Sequence, residues 1–357
     1  MSKSLLFIPD ISGYTNFIQN TEIEHSEHVI AEILEVLIAS NTQGLELAEI
    51  EGDALFFYKE NSVLSQEKLL AQIETIYIAF YSHLKMLEKN RICTCNACAT
   101  APKLQLKIIV HAGEMQFLKV QGNRKPFGNA VIVAHRLLKN SVNDDNYIIL
   151  SNELTTELGL SSTYESNLFQ FNEGADEYDG AKVGYLYSLI DKDKLKLKLF
   201  EDPYEVSFNR KANIIIEDTF SSSAEDVLEM ITNYRHRHLW AKGVESFDFN
   251  ENEVTRLGTE HICNINGKQL NFVTVTKAAK PNQIVYGELT KSPPPVDELY
   301  NFFIVEPINK SSSKVRIEIY WKAKSPIKKL LIALVVKRVL KRGTLDNFKN
   351  LKKFLEK

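Results

Sequence analysis

Two kinds of hydrophobic spacing divide this chain, with a charged stretch between them. Up to about residue 190, strand-like and helix-like runs alternate. LLFIP (5–9) reads as a buried strand, and HSEHVIAEILEVLIA (25–39) places Ile30, Ile33, Leu34 and Leu37 on one helical face. GLELAEI and ALFFY flank a tight Gly52-Asp53 turn and read as paired strands, and residues 64–88 return to helical period. LQLKIIVHAG and MQFLKV form a second strand pair, GNAVIVAHRLLKN a helix opened by Gly128, and YIILS a further strand. This β-α-β-β-α-β order with extra strands predicts an α+β sandwich with helices on one face of the sheet. The stretch DKDKLKLKLFEDPYEVSFNRK (191–211) then breaks the pattern. Beyond it come strand-like runs (FVTVT, QIVYGEL, NFFIVEPI, KVRIEIYW) and one long helical segment from about Ile327. The expected organisation is a first domain over 1–192, a linker over 193–210 and a second domain over 211–357.

Composition narrows the setting. The 357 residues are 44% hydrophobic and 25% charged, enough apolar material for two cores. No basic n-region precedes an apolar h-region, and no window approaches about 18 uninterrupted apolar residues. Four cysteines, three of them in one short loop, do not resemble a disulfide framework. A cytoplasmic address is expected. The net charge of −3 hides an asymmetry: residues 321–357 hold twelve Lys or Arg against Asp346 and Glu356. That end suggests an anionic partner, a facing acidic domain or simply a solvated helix face; no nucleic-acid partner is expected. PIKKLLIALVVKRVLKR carries a seven-residue apolar run between basic clusters. It reads either as a helix buried by a sheet or as one lying on an anionic membrane surface.

Two clusters of residues carry chemistry. Asp10 ends the first strand in FIPDISGYTNF, and Asp53 sits in the Gly52-Asp53 turn. If a crossover makes the first two strands parallel, both ends reach one sheet edge and the carboxylates meet there. Hard oxygen donors that repel one another suit Mg²⁺ or Mn²⁺. The alternative is that Asp10 caps the following helix and Asp53 is a turn residue. CTCNAC (93–98) brings Cys93, Cys95 and Cys98 together, a soft donor set for Zn²⁺. His111, His25 or His28 could supply a fourth ligand, and free loop thiols are the alternative; Cys263 reads as an inert buried thiol.

DISGYT (10–15), EGDALFF (51–57), VHAGE (110–114), FGNAVIVAHRL (127–137) and YIILS (147–151) occur in the order found in class III nucleotidyl cyclase domains. Residues 5–190 resemble that family, which implies a ferredoxin-like cyclase fold. By resemblance, Asp10 and Asp53 are the metal ligands and Arg136 stabilises the transition-state phosphate, often across a dimer. The family's ribose-orienting Asn falls at Ile132, which cannot hydrogen-bond a ribose oxygen, and its phosphate-binding Lys falls at Asp179. The base-reading positions fall at Glu49 and Lys125. Glu49 can accept from guanine N1–H and its amino group while Lys125 donates to O6, which favours GTP over ATP; the alternative is an exposed strand residue and a solvated loop.

Residues 208–357 resemble the START-like helix-grip superfamily of polyketide cyclases and lipid-transfer proteins, on W-x-x-G-V (240–244), R-x-G-T (256–259) and the run of short strands ending in a helix. The resemblance implies a cavity for a hydrophobic small molecule or lipid. Trp240, His261, Phe272 and Tyr286, with Tyr300, Phe302 and Trp321, are its candidate lining, ordinary core packing being the alternative at each. The combined expectation is a homodimeric, cyclase-like signalling protein that binds a nucleoside triphosphate and a hydrophobic ligand, with divalent-metal-dependent cyclisation of GTP or ATP as its activity. The alternative is a catalytically degenerate cyclase-fold module that senses or carries the hydrophobic ligand.

Overall fold

The computed structural model describes residues 3–93, 95–198, 204–249, 254–265, 267–291, 293, 295–326 and 336–357. They fall into two compact units, Met1–Glu88 with Thr100–Leu199, and Lys89–Ala99 with Phe200–Lys357. The short segment Lys89–Ala99 therefore groups with the second unit although its neighbours in sequence belong to the first. Among the described residues no helix is long and apolar enough to cross a membrane. Most of the apolar run at 330–336, including its membrane-surface reading, lies outside the described residues.

The chain begins with β1 (Ser4–Ser12), α1 (Tyr14–Gln19), α2 (Ile23–Ala39), the hairpin β2 (Glu46–Glu51) and β3 (Ala54–Lys59), and α3 (Gln66–Lys89). After the one-turn α4 (Asn96–Thr100) come β4 (Gln105–Gly113), β5 (Gln116–Val120), β6 (Asn123–Phe127) and α5 (Asn129–Leu137). β7 (Tyr147–Ser151), α6 (Asn152–Leu158), β8 (Asn172–Tyr178) and β9 (Ala181–Leu189) complete the first unit. Its main sheet has the order β2-β3-β1-β4-β7-β9-β8, antiparallel except for the parallel β4–β7 pair. β2 thus runs parallel to β1, as expected, but is not its neighbour: β3 lies between them.

The expectation of helices on one face does not hold at the sheet's centre. Leu6 and Ile8 pack with Ala130, Val133, Ala134 and Leu137 of α5. The alternate residues Leu5, Phe7 and Ile11 are equally buried, so β1 has core on both faces. LLFIP is a continuous apolar run for that reason. Close packing of α5 depends on Gly113, where an added Cβ would sit 2.7 Å from the Ala130 Cβ. On α3, the buried Tyr77 hydroxyl lies 2.9 Å and 2.8 Å from the carbonyl oxygens of Leu106 and Tyr147.

The second unit is built mainly of strands: β10 (Ile214–Phe220), then α7 (Ala224–Thr232), then β11 (Val244–Asp248), β12 (Glu260–Ile265), β13 (Lys268–Val275), β14 (Ile284–Lys291), β15 (Glu298–Asn309) and β16 (Ser312–Lys322), followed by α8 (Lys337–Leu355). The sheet order is β10-β16-β15-β14-β13-β12-β11, antiparallel throughout. Ser223 caps α7, its hydroxyl accepting from the Asp226 amide at 3.0 Å. One face of the sheet shares a core with α7 and α8 through Val227, Ile231, Phe303, Ile317, Phe348 and Leu351. The other face packs against the segment around Phe208, whose ring stacks on Tyr320 at 4.0 Å. Among the described residues the unit is an antiparallel sheet with helices α7 and α8 on one face.

A charged group lies inside this unit. Arg237 and Glu288 are both buried and ion-paired, and Arg237 Nε also donates to the Ile231 carbonyl at 2.9 Å. Tyr286 donates to Glu288 at 2.7 Å, and Tyr234 and Tyr286 hydroxyls lie 3.2 Å apart. Burial opposes ionisation of Glu288, but Arg237 and His261 outweigh it and hold the carboxyl below its usual range. A depressed carboxyl pKa adds stability above the unfolded value of 4.5, which is lost as pH falls through the folded one. Glu288→Ala should leave Arg237 buried without its counter-charge and cost about 3–5 kcal/mol, read as a lower denaturation midpoint of the second unit. The paired Arg237→Met Glu288→Met variant should recover most of that loss.

Candidate nucleotide and metal site

Strand register brings Asp10 and Asp53 together. β1 and β3 pair antiparallel with Asp10 opposite Ala54, so the turn before β3 sits beside the end of β1. Gly52 in that turn has φ +69, and the Ile11 amide donates to the Asp53 carbonyl at 3.2 Å. Burial and the Asp10 carboxylate together push the Asp53 carboxyl up to about 6. Asp10 is not a helix cap: Gly13 holds the N-cap of α1, with φ +87. Asp53 is indeed a turn residue, and it is at the same time the partner of Asp10.

A third charge was not anticipated. Lys107 on β4 lies opposite Asp10, and its Nζ is 3.2 Å from Asp10 Oδ2. Both side chains are largely buried, so this pair is less screened than a surface one. The two carboxylates thus face one built-in positive charge, which offsets half of theirs. An oxygen donor set with that remaining deficit suits one hard divalent cation, and Asp10 and Asp53 are the residues that would hold it. In sequence Lys107 is one polar position of LQLKIIVHAG; only the register with β1 gives it a role.

α5 lies over the hairpin that carries these groups. His135 Nδ1 is 3.5 Å from Glu51 and its ring meets Phe56 edge-on at 5.2 Å. One turn of α5 separates Ile132, which is 49% exposed, from Arg136. Arg136 is ion-paired with Asp179, a residue with φ +49 in the β8–β9 turn. Glu49 and Lys125 also meet, with Lys125 Nζ 3.1 Å and 3.2 Å from the two carboxylate oxygens. Both pairs are exposed, and contacts of that kind contribute about 0–1 kcal/mol each. His111 is buried, its Nδ1 2.8 Å from the Ser151 hydroxyl, and burial pushes its pKa down to about 4. It is a neutral, packed strand residue held by Ser151.

The other predicted residues divide in two ways. Cys93, Cys95 and Cys98 converge, their sulfurs within 4.8 Å of one another, and none is in a disulfide. Hydrogen bonding to Cys93 and Cys95, with burial, pushes the Cys98 thiol upward. Cys263 is buried apart from them on β12, as expected. The seven expected cavity residues do not line one space. Trp240 and Tyr286 belong to the core beneath α7 and α8, with Trp321 at its margin, whereas Tyr300 and Phe302 pack on the opposite face of the sheet. His261 stacks on Phe272, their centroids 5.0 Å apart. Around Trp240 an open depression of about 440 Å³ is rimmed by Lys242, Lys353 and Lys357, which makes it basic rather than apolar.

Comparison with known proteins gives three kinds of likeness. A family model described as a protein of unknown function, DUF2652, matches residues 30–147. The uncharacterized protein Rv2561/Rv2562 of Mycobacterium tuberculosis is 31% identical over 125 residues, 34% of this chain and 57% of that protein. The match therefore spans a little over half of that relative's length. Among solved structures, the chain is similar to the dimeric guanylyl cyclase domain of a RhoGC fusion protein from Blastocladiella emersonii, with TM-score 0.38 and 15% identity over 53% of this chain and 97% of that one. The adenylyl cyclase CyaB of P. aeruginosa is similar with TM-score 0.38 and 16% identity, over 53% and 94%. The guanylate cyclase domain of RhGC from Catenaria anguillulae, in complex with GTP, has TM-score 0.38 and 14% identity, over 53% and 97%.

The carboxylate pair has a pH signature. Because the folded pKa of Asp53 lies above its ordinary 3.8, the folded state holds a proton that the unfolded chain has released. Stability at this site therefore declines as pH rises from about 4 through about 6. In metal-free protein, the ¹³C resonance of the Asp53 carboxyl should titrate with a midpoint near 6, and Asp10→Asn should move it towards the ordinary carboxylate range. The same midpoint in both proteins would mean that the two carboxylates do not interact.

Proposed function

We propose that the first unit is a cation-dependent nucleotide-binding module of the nucleotidyl cyclase type, with a preference for GTP over ATP. The convergence of Asp10 and Asp53 at the turn of the hairpin that carries Glu49 is the observation that carries this reading. A divalent cation bound there would neutralise phosphate charge and acidify a ribose hydroxyl. Opening the exposed Glu49–Lys125 pair gives guanine a carboxylate for N1–H and the amino group and an ammonium for O6. Arg136 reaches a phosphate only after leaving Asp179. Ile132 offers the ribose no hydrogen bond, and misplacement of a reacting group costs on the order of 10²-fold. Binding is accordingly favoured over turnover.

A second copy of this chain is the proposed partner. Leu47, Ile50, Leu118, Val120, Phe127 and Ile132 are exposed apolar side chains carried by β2, β5, β6 and α5. A run of such side chains on neighbouring elements marks an interaction surface. For the second unit we propose a START-like role, with an apolar small molecule or lipid held near the rings of Tyr234, Phe247, His261 and Phe272. Organic extraction of the purified protein and mass spectrometry test this, and an extract free of apolar ligand would count against it.

The nucleotide reading is tested by equilibrium binding and Mn²⁺-supported turnover with GTP and ATP. GTP should bind only with Mn²⁺ present, and Asp10→Ala Asp53→Ala should weaken binding at least about tenfold, the loss of one charge-assisted contact. Ile132→Asn should raise cyclic-product formation by up to about 10²-fold over a low wild-type rate. Equal binding by wild type and the double variant would overturn the assignment of the carboxylates.

A further inference from the structure

Cys93, Cys95 and Cys98 form a group of side chains that the nucleotide reading does not use. Their sulfurs lie within 4.8 Å of one another in the segment Lys89–Ala99, which belongs to the second unit. The backbone turns so as to aim amides at sulfur: the Cys95 N–H donates to Cys93 Sγ and the Cys98 N–H to Cys95 Sγ, both at 3.4 Å. Such bonds are weak to a thiol and stronger to a thiolate, because an ionised acceptor draws the donor. The segment has little regular structure of its own, a single turn of α4. Ile92 is nevertheless buried in the core of the second unit, and the Asn90 carbonyl accepts from the Leu257 amide at 3.2 Å. Ala97 and Cys98 are buried as well.

We propose that these three cysteines bind one zinc ion that fixes the turn formed by the Cys93–Cys98 segment. Each sulfur–zinc bond forms as the thiol proton passes to solvent, with no change of oxidation state. Three soft thiolates select zinc over magnesium or manganese, so this site and the carboxylate pair take different metals. A tetrahedral ion keeps one further position, for a nitrogen ligand or water. The sulfur ligands come from six consecutive residues next to the buried Ile92, so the ion would order this segment locally.

Elemental analysis of the full-length protein, purified from zinc-supplemented cells, provides the test. About one zinc per chain is expected, retained in Cys263→Ser and in Asp10→Ala Asp53→Ala, and reduced at least tenfold in Cys95→Ser. X-ray absorption of the wild type should show three sulfurs at about 2.3 Å and one lighter atom at about 2.0–2.1 Å. Replacement by Co²⁺ should give an intense sulfur-to-cobalt charge-transfer band. The wild-type measurements stand even if Cys95→Ser fails to fold. Wild-type protein that carries no zinc and gives no charge-transfer band on Co²⁺ addition would overturn the proposal.

Discussion

The antiparallel register between β1 and its two neighbours is the constraint on which the chemistry of the first unit depends. It sets Asp10 beside the β2–β3 turn on one side and beside Lys107 on the other. Two carboxylates and one ammonium leave a net negative charge in a half-buried place, and burial, with the Asp10 carboxylate, raises the Asp53 carboxyl. The local sequence serves this arrangement: Gly52 turns the hairpin with positive φ, and Gly113 lets α5 approach β4. The position of α5 then follows from packing, and with it the positions of Arg136 and Ile132.

The internal ion pairs divide binding from catalysis. Arg136 is held by Asp179, Lys125 by Glu49 and Lys107 by Asp10. The first two are exposed and contribute little, so a ligand can replace them at small cost. The third is mostly buried and competes directly with a metal for Asp10. In the second unit the same physics is turned inward. Arg237 and Glu288 satisfy each other beside Tyr234 and Tyr286, and removal of either partner leaves an isolated buried charge.

Much of the first unit was legible in the sequence, because spaced motifs and the change of hydrophobic period both report local structure. The meeting of Asp10 and Asp53 was one of two readings the sequence left open, the other making Asp10 a helix cap and Asp53 only a turn residue. Lys107 was not legible, since its role depends on which residue faces it across β1, and pairing register is not written in any one strand. The apolar run of β1 was legible as buried, but its burial on both faces appears only once α5 and the alternate side chains are placed. In the second unit, Tyr300 and Phe302 read like Trp240 and Tyr286, large aromatics in strand-rich sequence. The sheet separates the two pairs, and no composition or spacing could show on which side each would fall. Grouping of Lys89–Ala99 with the second unit depends on a long-range contact of Ile92, invisible in a loop of cysteines.

The measurement that bears most directly on the carboxylate site is Mn²⁺ binding, followed by electron paramagnetic resonance, in wild type and Lys107→Met. Removal of the competing ammonium should tighten Mn²⁺ binding about tenfold, on the order of 1.4 kcal/mol, with Asp10→Ala abolishing it in both backgrounds. Equal affinity in wild type and Lys107→Met, or binding that survives Asp10→Ala, would contradict a cation site made by Asp10 and Asp53.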